Sequence, residues 1–295
     1  MKTRRKFLKN SSYLAAGSML LPLGCTNKKP ETAQTITEEV MESMPKDKTM
    51  GVQVYSVKDA LKEDFAGSMK KLADIGYQYI EAYGLGVDGQ IFDMSPEEYS
   101  RIVTDTGMKI VSTHGTYFQA GEGERLRDAA LTAGIPHVII PKLSAEDRKD
   151  YHKVAENLNK LGEIFNDSGL LLGYHNHDDE FKKQGDEVGL EILLNETQPD
   201  LVSFQLDLYW VVKGGADPVA LIEKYPGRFC SFHVKDAAED LEQTTVGTGI
   251  VDLESVFNIK GKAGITYYFV EDERTDDPFG NLEAAFNYLN QAEFI

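Results

Sequence analysis

From residue 50 onward, the chain alternates between apolar, β-rich runs and amphipathic segments with helical spacing. Eight such runs occur, and their spacing is typical of repeated strand–helix units. Eight units match a closed (β/α)₈ barrel, whose usual size is about 250 residues. The predicted strands are Met50–Val57, Tyr77–Tyr83, Lys109–Thr113, His137–Pro141, Leu170–His175, Leu201–Val211, Phe229–Val234 and Ile265–Val270.

The competing architecture is an open, doubly wound parallel sheet. Such a sheet normally has fewer strands, and the first run is not followed by the G-x-G-x-x-G sequence of dinucleotide-binding folds. The pairs Gly84-Leu85-Gly86 and Gly121-Glu122-Gly123 each lack the third glycine and the strand–helix context. We therefore predict an α/β protein with a single (β/α)₈ (TIM) barrel domain spanning residues 49–295.

Local signals place several helix ends. Ser95-Pro96 and Asp217-Pro218 each combine a capping side chain with proline at the first helical position. Ser144 and Asp147 are predicted to open a long helix that runs to Asn166. Glycines just ahead of strands are predicted helix C-caps; these are Gly76, Gly107, Gly134, Gly169 and Gly264.

Residues 1–24 have the composition of an export signal, with a basic start, a short apolar run and a small residue before the break. The pair Arg4-Arg5, followed by Lys6-Phe7-Leu8, is similar to a twin-arginine signal. Gly24-Cys25 resembles a lipobox, although Pro22 departs from that pattern. We expect an exported protein of the periplasm or cell envelope, attached to the membrane only through a lipid on Cys25. A soluble exported protein cut nearby is the alternative.

Residues 25–48 are polar and are predicted to form a flexible tether. The chain has a formal net charge of −17, which becomes −22 once residues 1–24, with five basic and no acidic residues, are removed. So acidic a protein repels phosphate backbones, and nucleic acid is not an expected partner. The two cysteines are Cys25 and Cys230, and the second lies in an apolar strand pattern, so the fold does not depend on disulfides. The sequence leaves the oligomeric state open.

Four polar residues lie at the downstream ends of apolar runs: His175, Asp207, His233 and Glu271. The carboxyl ends of the strands of a parallel barrel meet at one mouth, where catalytic groups gather. A carboxylate in an otherwise apolar strand is costly to bury unless it is paired or bound to a metal. Two imidazoles and two carboxylates in one place predict a site for a divalent metal.

Other polar residues share this end of the predicted barrel. His175 and His177 alternate along one strand and so point the same way. His137 and His152 lack such a context and are expected to be structural. We predict substrate contacts for Glu81, His114, Asn176, His177, Trp210, Lys235 and Asp236, with Trp210 as a possible sugar-stacking wall.

Six of the selected residues, those from Asp207 to Glu271, lie in three short motifs: Gln-Leu-Asp-Leu-Tyr-Trp at 205–210, Phe-His-Val-Lys-Asp at 232–236 and Phe-Val-Glu at 269–271. A fourth motif, Val-Gly-Thr-Gly-Ile-Val-Asp, occupies 246–252. Together they resemble the xylose isomerase-like barrel superfamily, often described as sugar phosphate isomerases/epimerases, over nearly all of the chain from Gly51. The resemblance implies one Mn²⁺, Mg²⁺, Co²⁺ or Zn²⁺ held by Asp207, His233, Glu271 and a fourth residue. That fourth residue is a glutamate in the family and His175 here.

The resemblance also implies a reaction. A divalent ion that chelates a carbonyl and the adjacent hydroxyl stabilises an enediolate, with Glu271 or His175 as general base. We expect a metal-dependent isomerase or epimerase acting on a non-phosphorylated keto sugar. A lyase or hydratase acting on 3-keto-glycosides, and a non-catalytic sugar-binding lipoprotein, are the alternatives. The endonuclease branch of the superfamily is disfavoured, because it needs more histidines and a basic face.

Overall fold

The computed structural model describes residues 49–295, and the predictions for the export signal, Cys25 and the tether lie outside this range. Eight parallel strands close into a barrel in which each strand pairs with its neighbours in chain order and the last pairs with the first. The predicted (β/α)₈ barrel is therefore confirmed. The strands are β1 (Met50–Gln53), β2 (Tyr79–Leu85), β3 (Lys109–Gly115), β4 (His137–Ile140), β5 (Leu171–His175), β6 (Val202–Asp207), β7 (Phe229–Val234) and β8 (Tyr267–Val270).

Helices cover the outside of the barrel between successive strands. They are α1 (Lys58–Glu63), α2 (Phe65–Ile75), α3 (Pro96–Thr104), α4 (Gly123–Ala133), α5 (Tyr151–Asn166), α6 (Gly189–Glu196), α7 (Leu208–Lys213), α8 (Pro218–Lys224), α9 (Leu253–Asn258), α10 (Lys260–Ala263) and α11 (Pro278–Gln291). Short 3₁₀ turns occupy Val54–Val57, Ala120–Glu122, Asp147–Lys149 and Asp179–Phe181, and two-residue hairpins pair Lys183–Gln184 with Glu187–Val188 and Asp236–Ala237 with Gln243–Thr244.

The sixth predicted strand is wrong beyond Asp207. The backbone turns there into α7, because Asp207 Oδ1 accepts the Trp210 amide at 2.9 Å and caps the helix. The apolar residues 208–211 therefore pack as one helical turn, even though their composition favours a strand. This turn carries the side chain of Trp210 beyond the end of the barrel wall.

Several other predicted boundaries shift, and two of the shifts have a clear cause in a capping side chain. The first strand stops at Gln53, whose side chain accepts the Tyr55 amide at 3.0 Å and begins a 3₁₀ turn. The long fifth helix begins at Tyr151, not at Ser144, because Asp150 caps it through the Lys153 amide at 3.1 Å. The predicted caps at Ser95 and Asp217 are present, as are left-handed C-caps at Gly134 and Gly264.

The side chains of the barrel strands alternate between two faces. Val52, Ile80 and Leu206 are fully buried on the face towards the helices, and their neighbours Gln53, Glu81 and Gln205 face the barrel interior. Towards the carboxyl ends of the strands lies a layer of buried polar side chains, namely Gln53, Glu81, Ser112, Gln205 and Ser231. Buried polar groups persist only when they are hydrogen-bonded, so this layer must be a connected network.

Within residues 49–295, none of the helices has the length and apolar character needed to span a bilayer.

The contact between α5 and the start of β6 leaves no room for a side chain at Gly162. A Cβ atom there would lie 2.7 Å from the carbonyl oxygen of Leu201. We expect Gly162→Ala to lower the free energy of unfolding by about 1–3 kcal/mol, the usual cost of overpacking. This outweighs the gain of about 1 kcal/mol that alanine brings to a helix. Urea denaturation measures the change.

The exposed Glu163 on the same helix provides the control, and Glu163→Ala should change stability by less than about 0.5 kcal/mol. Equal stability of Gly162→Ala and the parent protein would show that this contact is loose.

Candidate metal and substrate site

The four predicted ligands meet at the carboxyl end of the barrel. His175 ends β5, Asp207 ends β6, His233 lies in β7, and Glu271 directly follows β8. Asp207 Oδ2 is 3.6 Å from His175 Nε2 and 3.8 Å from His233 Nδ1. Glu271 Oε2 is 2.9 Å from the same His233 nitrogen. The structure thus brings all four side chains together, although their role as ligands stays a prediction.

The ammonium of Lys235 lies beside the carboxylates of this cluster. Its Nζ is 2.8 Å from Glu271 Oε2, 3.4 Å from Asp207 Oδ2 and 2.5 Å from Glu273 Oε1. The lysine side chain is almost completely buried, so these carboxylates replace water as its partners. Lys235 is therefore tied to the acidic side of the site, and its predicted contact with substrate would have to involve the same ammonium.

Gln205 determines which nitrogen of His175 faces the site. Its amide nitrogen donates to Glu81 Oε2 at 2.8 Å and to Ser231 Oγ at 3.0 Å, which leaves Gln205 Oε1 as an acceptor. That oxygen lies 3.0 Å from His175 Nδ1, so Nδ1 carries the proton. Neutral His175 consequently presents the lone pair of Nε2 towards Asp207.

Glu81 acts on His233 in the same way. Its Oε1 accepts a short hydrogen bond from His233 Nε2 and another from Gln53 Nε2 at 2.8 Å. Because Nε2 bonds to Glu81, His233 directs Nδ1 towards Glu271 and Asp207. Without a cation, Nδ1 carries a proton that it donates to Glu271, and a bound cation would take the place of that proton. A carboxylate that holds the distal N–H of a ligand histidine fixes the orientation of the ring and strengthens the ligand.

Burial and neighbouring charges shift the pKa values of these groups in different directions. Burial, supported by the other imidazoles, holds the pKa of His175 well below its usual range. Burial also raises the pKa of Asp207 to about 6. For His233, burial would lower the pKa, but the charges of Glu81 and Glu271 outweigh it and raise the value to about 10. Burial opposes ionisation of Glu271 as well, yet Lys235 and His233 hold its pKa below the usual range.

These donors fit a divalent cation. Asp207 Oδ2 is buried and accepts no hydrogen bond from any group within residues 49–295. It faces the Nε2 lone pair of His175, and two such electron-rich atoms repel unless a cation or proton lies between them. Donors that share one ion at about 2.1 Å are about 3–4 Å apart, which is the distance from Asp207 Oδ2 to His175 Nε2 and to His233 Nδ1. Ligand atoms of Asp207, His233 and Glu271 all lie within 4.8 Å of one another, and those of His175 do so with His114 and His233. A mixed set of imidazole and carboxylate suits Mn²⁺, Co²⁺ or Zn²⁺, and the carboxylates also suit Mg²⁺.

Two of the predicted substrate contacts instead hold the backbone. Asn176 Oδ1 accepts the Asp207 amide at 3.0 Å, which fixes the end of β6. Asp236 accepts four amides, from Ala237, Gly247, Gly249 and Val251, at 2.9–3.1 Å. Both residues are buried and position the site and its loop through these bonds, and their contact with substrate stays a prediction.

Glu81 is also placed differently from the prediction. It is fully buried beneath the imidazoles, and both of its oxygens are used by protein donors. It therefore supports His233 and Gln205 from below. His137 lies deeper, where its Nε2 is 3.2 Å from Ser203 Oγ, and His152 is exposed on α5, so both are outside the site.

A cavity of about 500 Å³ opens beside the cluster, within the size range of small-molecule sites. His114, His175, His177 and Glu271 are among its lining residues, which agrees with the predicted position of the mouth. Burial lowers the pKa of His177 to about 3, so this ring is neutral at pH 7. Its Nδ1 is buried and has no hydrogen-bond partner within residues 49–295.

Several residues of this site were not predicted from the sequence. Gln205, Ser112 and Ser231 complete the buried network, and all three lie two positions ahead of a selected residue on the same strand face. That alternation was the available signal. Other missed residues line the cavity and come from loops or earlier strands, where no strand-end motif marks them; these are Tyr55, Tyr83, Gly84, Leu85, Gly86, Gly115, Thr116, Pro141, Lys142 and Glu273.

Comparison with known proteins agrees with this architecture. The family model described as a xylose isomerase-like TIM barrel matches residues 69–292. A solved sugar phosphate isomerase/epimerase from Parabacteroides distasonis superimposes with a TM-score of 0.75 at 30% identity, covering 86% of this chain and 97% of that chain. The chain therefore belongs to the xylose isomerase-like TIM barrel family.

Two further comparisons concern more distant proteins. The inosose dehydratase of Clostridium beijerinckii is 25% identical over 164 residues, which is 50% of this chain and 53% of the relative. The chain thus spans about half the length of the curated relatives it matches. A xylose isomerase-like barrel from Mycobacterium smegmatis was solved in complex with magnesium. It superimposes with a TM-score of 0.63 at 16% identity, and the match covers 85% of this chain and 96% of that chain. At this low identity, the similarity shows the fold alone.

The orientation of His175 can be tested through Gln205. We expect Gln205→Met to weaken Mn²⁺ binding about 10- to 100-fold, the usual effect of losing an outer partner of a ligand histidine. Nitrogen-15 chemical shifts of His175 should change from a single tautomer, protonated at Nδ1, to a mixture. Calorimetric titration with Mn²⁺ measures the affinity.

Gln78→Met is the matched control, since Gln78 is exposed near the amino end of β2, and it should bind Mn²⁺ normally. His233→Ala removes a predicted metal ligand, and its Mn²⁺ affinity shows how much binding is lost when a ligand itself is missing. Normal affinity and an unchanged tautomer in Gln205→Met would contradict this role of the amide.

Proposed function

We propose that this protein catalyses β-elimination from a keto sugar or keto polyol, as a metal-dependent lyase or dehydratase. The main support is the state of His175, whose two nitrogens are both committed. Nδ1 is held by Gln205 at 3.0 Å, and Nε2 faces Asp207 and the cation position. A glutamate at this position would keep a second oxygen for proton transfer, whereas this imidazole keeps no free nitrogen. The site is therefore suited to reactions that need one base.

Glu271 is the base in this proposal. Its Oε2 is held by His233 and Lys235, while no group within residues 49–295 hydrogen-bonds to Oε1, and the residue lines the cavity. Oε1 can take the proton from the carbon next to the substrate carbonyl. A divalent cation bound by His175, Asp207, His233 and Glu271 would supply Lewis-acid stabilisation of negative charge on the substrate oxygens.

In the proposed elimination, the proton on the α-carbon moves to Glu271 and the C–H electrons form the new C=C bond. The bond between the β-carbon and its oxygen breaks, and both of its electrons stay on the oxygen. That oxygen takes up a proton from Glu271 or from solvent, which gives an enone and either water or an alcohol. The ammonium of Lys235, 2.8 Å from Glu271 Oε2 and 2.5 Å from Glu273 Oε1, stabilises the carboxylate form of the base.

The dehydratase relative supports elimination as the outcome. Inosose dehydratase is a lyase by name, and it matches half of this chain. Isomerisation or epimerisation of the same kind of substrate is the second candidate, favoured by the 30% identity to the Parabacteroides distasonis isomerase/epimerase. A non-catalytic sugar-binding protein is the third, and it predicts binding without any proton exchange.

The cavity suits a substrate without a phosphate group. Lys142 is the only lysine or arginine among its described lining residues, whereas Glu271 and Glu273 are both acidic. The glycine-containing edge Gly84–Gly86 does not offer a free amide at Gly86, since that N–H donates to the Gln90 carbonyl. Anion-binding sites need several free backbone amides or cations.

The role of Glu271 can be tested in deuterated water. With Mn²⁺ and 3-ketoglucose, we expect exchange of the α-proton, seen by NMR, together with growth of enone absorbance. Glu271→Gln should slow both by about 10²–10⁴-fold, the usual contribution of a general base, even at saturating Mn²⁺. Glu283→Gln, on an exposed face of α11, is the control.

Exchange without enone formation would favour isomerisation or epimerisation over elimination. Failure to exchange across a panel of keto sugars with bound Mn²⁺ would favour the non-catalytic binder.

We also propose export and lipid anchoring, based on Arg4-Arg5 and Gly24-Cys25. Cys25→Ser should release the protein from cell membranes and abolish incorporation of labelled fatty acid. Arg4→Lys combined with Arg5→Lys should block export and leave the protein in the cytoplasm. Fractionation with immunoblotting measures both effects, and an unchanged membrane fraction for Cys25→Ser would contradict the anchor.

A further inference from the structure

Glu271 lies beyond the regular part of its strand. The last residue of β8 is Val270, and the Glu271 amide reaches the Val234 carbonyl only at a long 3.4 Å. A catalytic group must be held to within about 0.5 Å of its working position. The strand ladder does not fix the backbone that carries this carboxylate so closely, and other contacts are needed.

Gln243 holds this backbone from the side. Its Nε2 donates to the Glu271 carbonyl at 3.1 Å, and its Oε1 accepts the Glu273 amide at 3.0 Å. One side chain therefore bonds to the main chain on both sides of Asp272. An amide group carries its donor and acceptor in one plane, so the two bonds fix both the position and the direction of the segment.

Two further bonds hold the same segment. The Asp272 amide donates to the buried Ser56 Oγ at 3.0 Å, and Arg274 Nη2 donates to Thr245 Oγ1 at 2.8 Å. Thr245 lies two residues after Gln243, so the second of these bonds comes from the same loop. The backbone after β8 is thus held mainly by one external loop.

That loop is itself anchored at both ends. It comprises residues 236–251, which we call the clamp loop, and it includes most of the Val-Gly-Thr-Gly-Ile-Val-Asp motif. The buried carboxylate of Asp236, directly after β7, closes the loop by accepting four of its amides at 2.9–3.1 Å. They belong to Ala237, Gly247, Gly249 and Val251. Gln243 therefore projects from a closed loop and not from a free hairpin.

The two glycines of the motif are required by this closure. A Cβ atom at Gly249 would collide with the Asp236 carboxylate and the Ala237 carbonyl. Gly247 has a φ of +90°, and a Cβ atom there would lie 2.5 Å from the ring of Tyr288 on α11. Glycine adopts this left-handed backbone without steric cost. The motif thus shapes the clamp loop around Asp236.

The clamp loop also contacts the element that follows β6. Tyr209 Oη, on α7, donates to the Leu241 carbonyl at 3.2 Å, and Asp207 caps this helix. The loop therefore bonds to segments that follow three neighbouring strands, β6, β7 and β8. These strands bring Asp207, His233 and Glu271 to the site.

We infer that the clamp loop positions Glu271 and that Gln243 is the residue through which it acts. Gln243 is not among the described residues that line the cavity beside the cluster, so it acts through Glu271 and not on substrate. The same side chain fixes the backbone of Glu273, whose carboxylate holds Lys235 at 2.5 Å. This inference rests on the proposed function in treating Glu271 as the base.

The kinetic test uses Gln243→Met, which keeps the length of the side chain and removes both hydrogen bonds. In the full-length protein loaded with Mn²⁺, we expect kcat for α-proton exchange with 3-ketoglucose to fall at least tenfold, while KM changes less than twofold. A displaced base slows proton transfer, and a misplacement of about 1 Å can cost about 100-fold, but the cavity that binds substrate is unchanged. A parent-like kcat, or a loss confined to KM, would overturn the inference.

A second variant and a matched control sharpen this result. Gln243→Glu still accepts the Glu273 amide but cannot donate to the Glu271 carbonyl, so its kcat should stay at least fivefold below the parent value. Gln184→Met is the control, because Gln184 also lies in a two-residue hairpin strand and donates to a backbone carbonyl, that of Arg148. It should leave kcat and KM unchanged. Full activity of Gln243→Glu would show that the bond to Glu271 is not needed.

Two measurements without substrate separate the clamp loop from the proposed reaction. In Gln243→Met, hydrogen exchange followed by NMR should show the Glu273 amide exchanging at least tenfold faster, while the Gly247 and Gly249 amides stay protected by Asp236. Calorimetric titration should show Mn²⁺ binding weakened at least threefold, because Glu271 is a predicted ligand.

The combined outcomes are distinct. Weaker Mn²⁺ binding and faster Glu273 exchange, with no α-proton exchange in the parent protein, would refute the reaction and keep the positioning of Glu271. Parent-like Mn²⁺ affinity, amide protection and kcat in Gln243→Met, with an active parent protein, would refute the positioning and keep the reaction.

Discussion

The buried carboxylate of Glu81 is the interaction on which the site depends. Its two oxygens accept hydrogen bonds from side chains of four other strands: Gln53, Ser112, Gln205 and His233. Burial opposes the ionisation of Glu81, but the charges of His114 and His233 hold its pKa well below its usual range. Each donor is fixed by the same acceptor, so the ring orientations above it are fixed together.

This arrangement has an energetic cost that the barrel must offset. An unpaired buried polar group costs about 1–3 kcal/mol, and more when it is charged. The hydrogen bonds to Glu81 avoid that cost, but two buried atoms of the site, Asp207 Oδ2 and His177 Nδ1, have no hydrogen-bond partner among the described residues. Asp207 Oδ2 lies where the donors converge, 3.4 Å from the ammonium of Lys235. Buried groups with perturbed pKa values, such as Asp207, cluster at functional sites.

Periodicity was enough to predict the barrel, because strand–helix repeats leave few closed arrangements. The errors came from side chains that bond to nearby backbone. Asp207 caps a helix over Leu208–Lys213, where residues 208–211 were expected to continue a strand, and Asp150 delays the start of α5. A capping side chain can favour a helix where the apolar pattern favours a strand, and composition alone does not predict which of the two forms.

The site was predictable in part. Strand-end positions identified His175, Asp207, His233 and Glu271, since carboxyl ends converge in any parallel barrel. The roles of Asn176 and Asp236 could not be predicted, because their partners are backbone amides whose positions depend on the folded chain. Gln205 opens the motif at 205–210 and alternates with Asp207, but a single amide in an apolar strand does not by itself indicate a role. Its partners, Glu81 and His175, are far away in sequence and meet only after the barrel closes.

Asp207 connects the site to the stability of one helix. Its Oδ1 caps α7 through the Trp210 amide, while Oδ2 faces the imidazoles. A ligand that binds Oδ2 also orders the carboxylate that caps the first turn of α7. Occupancy of the site and local unfolding of α7 are therefore thermodynamically linked. The amide protons of this helix should then exchange with solvent more slowly when the site is filled, which makes α7 a reporter of ligand binding.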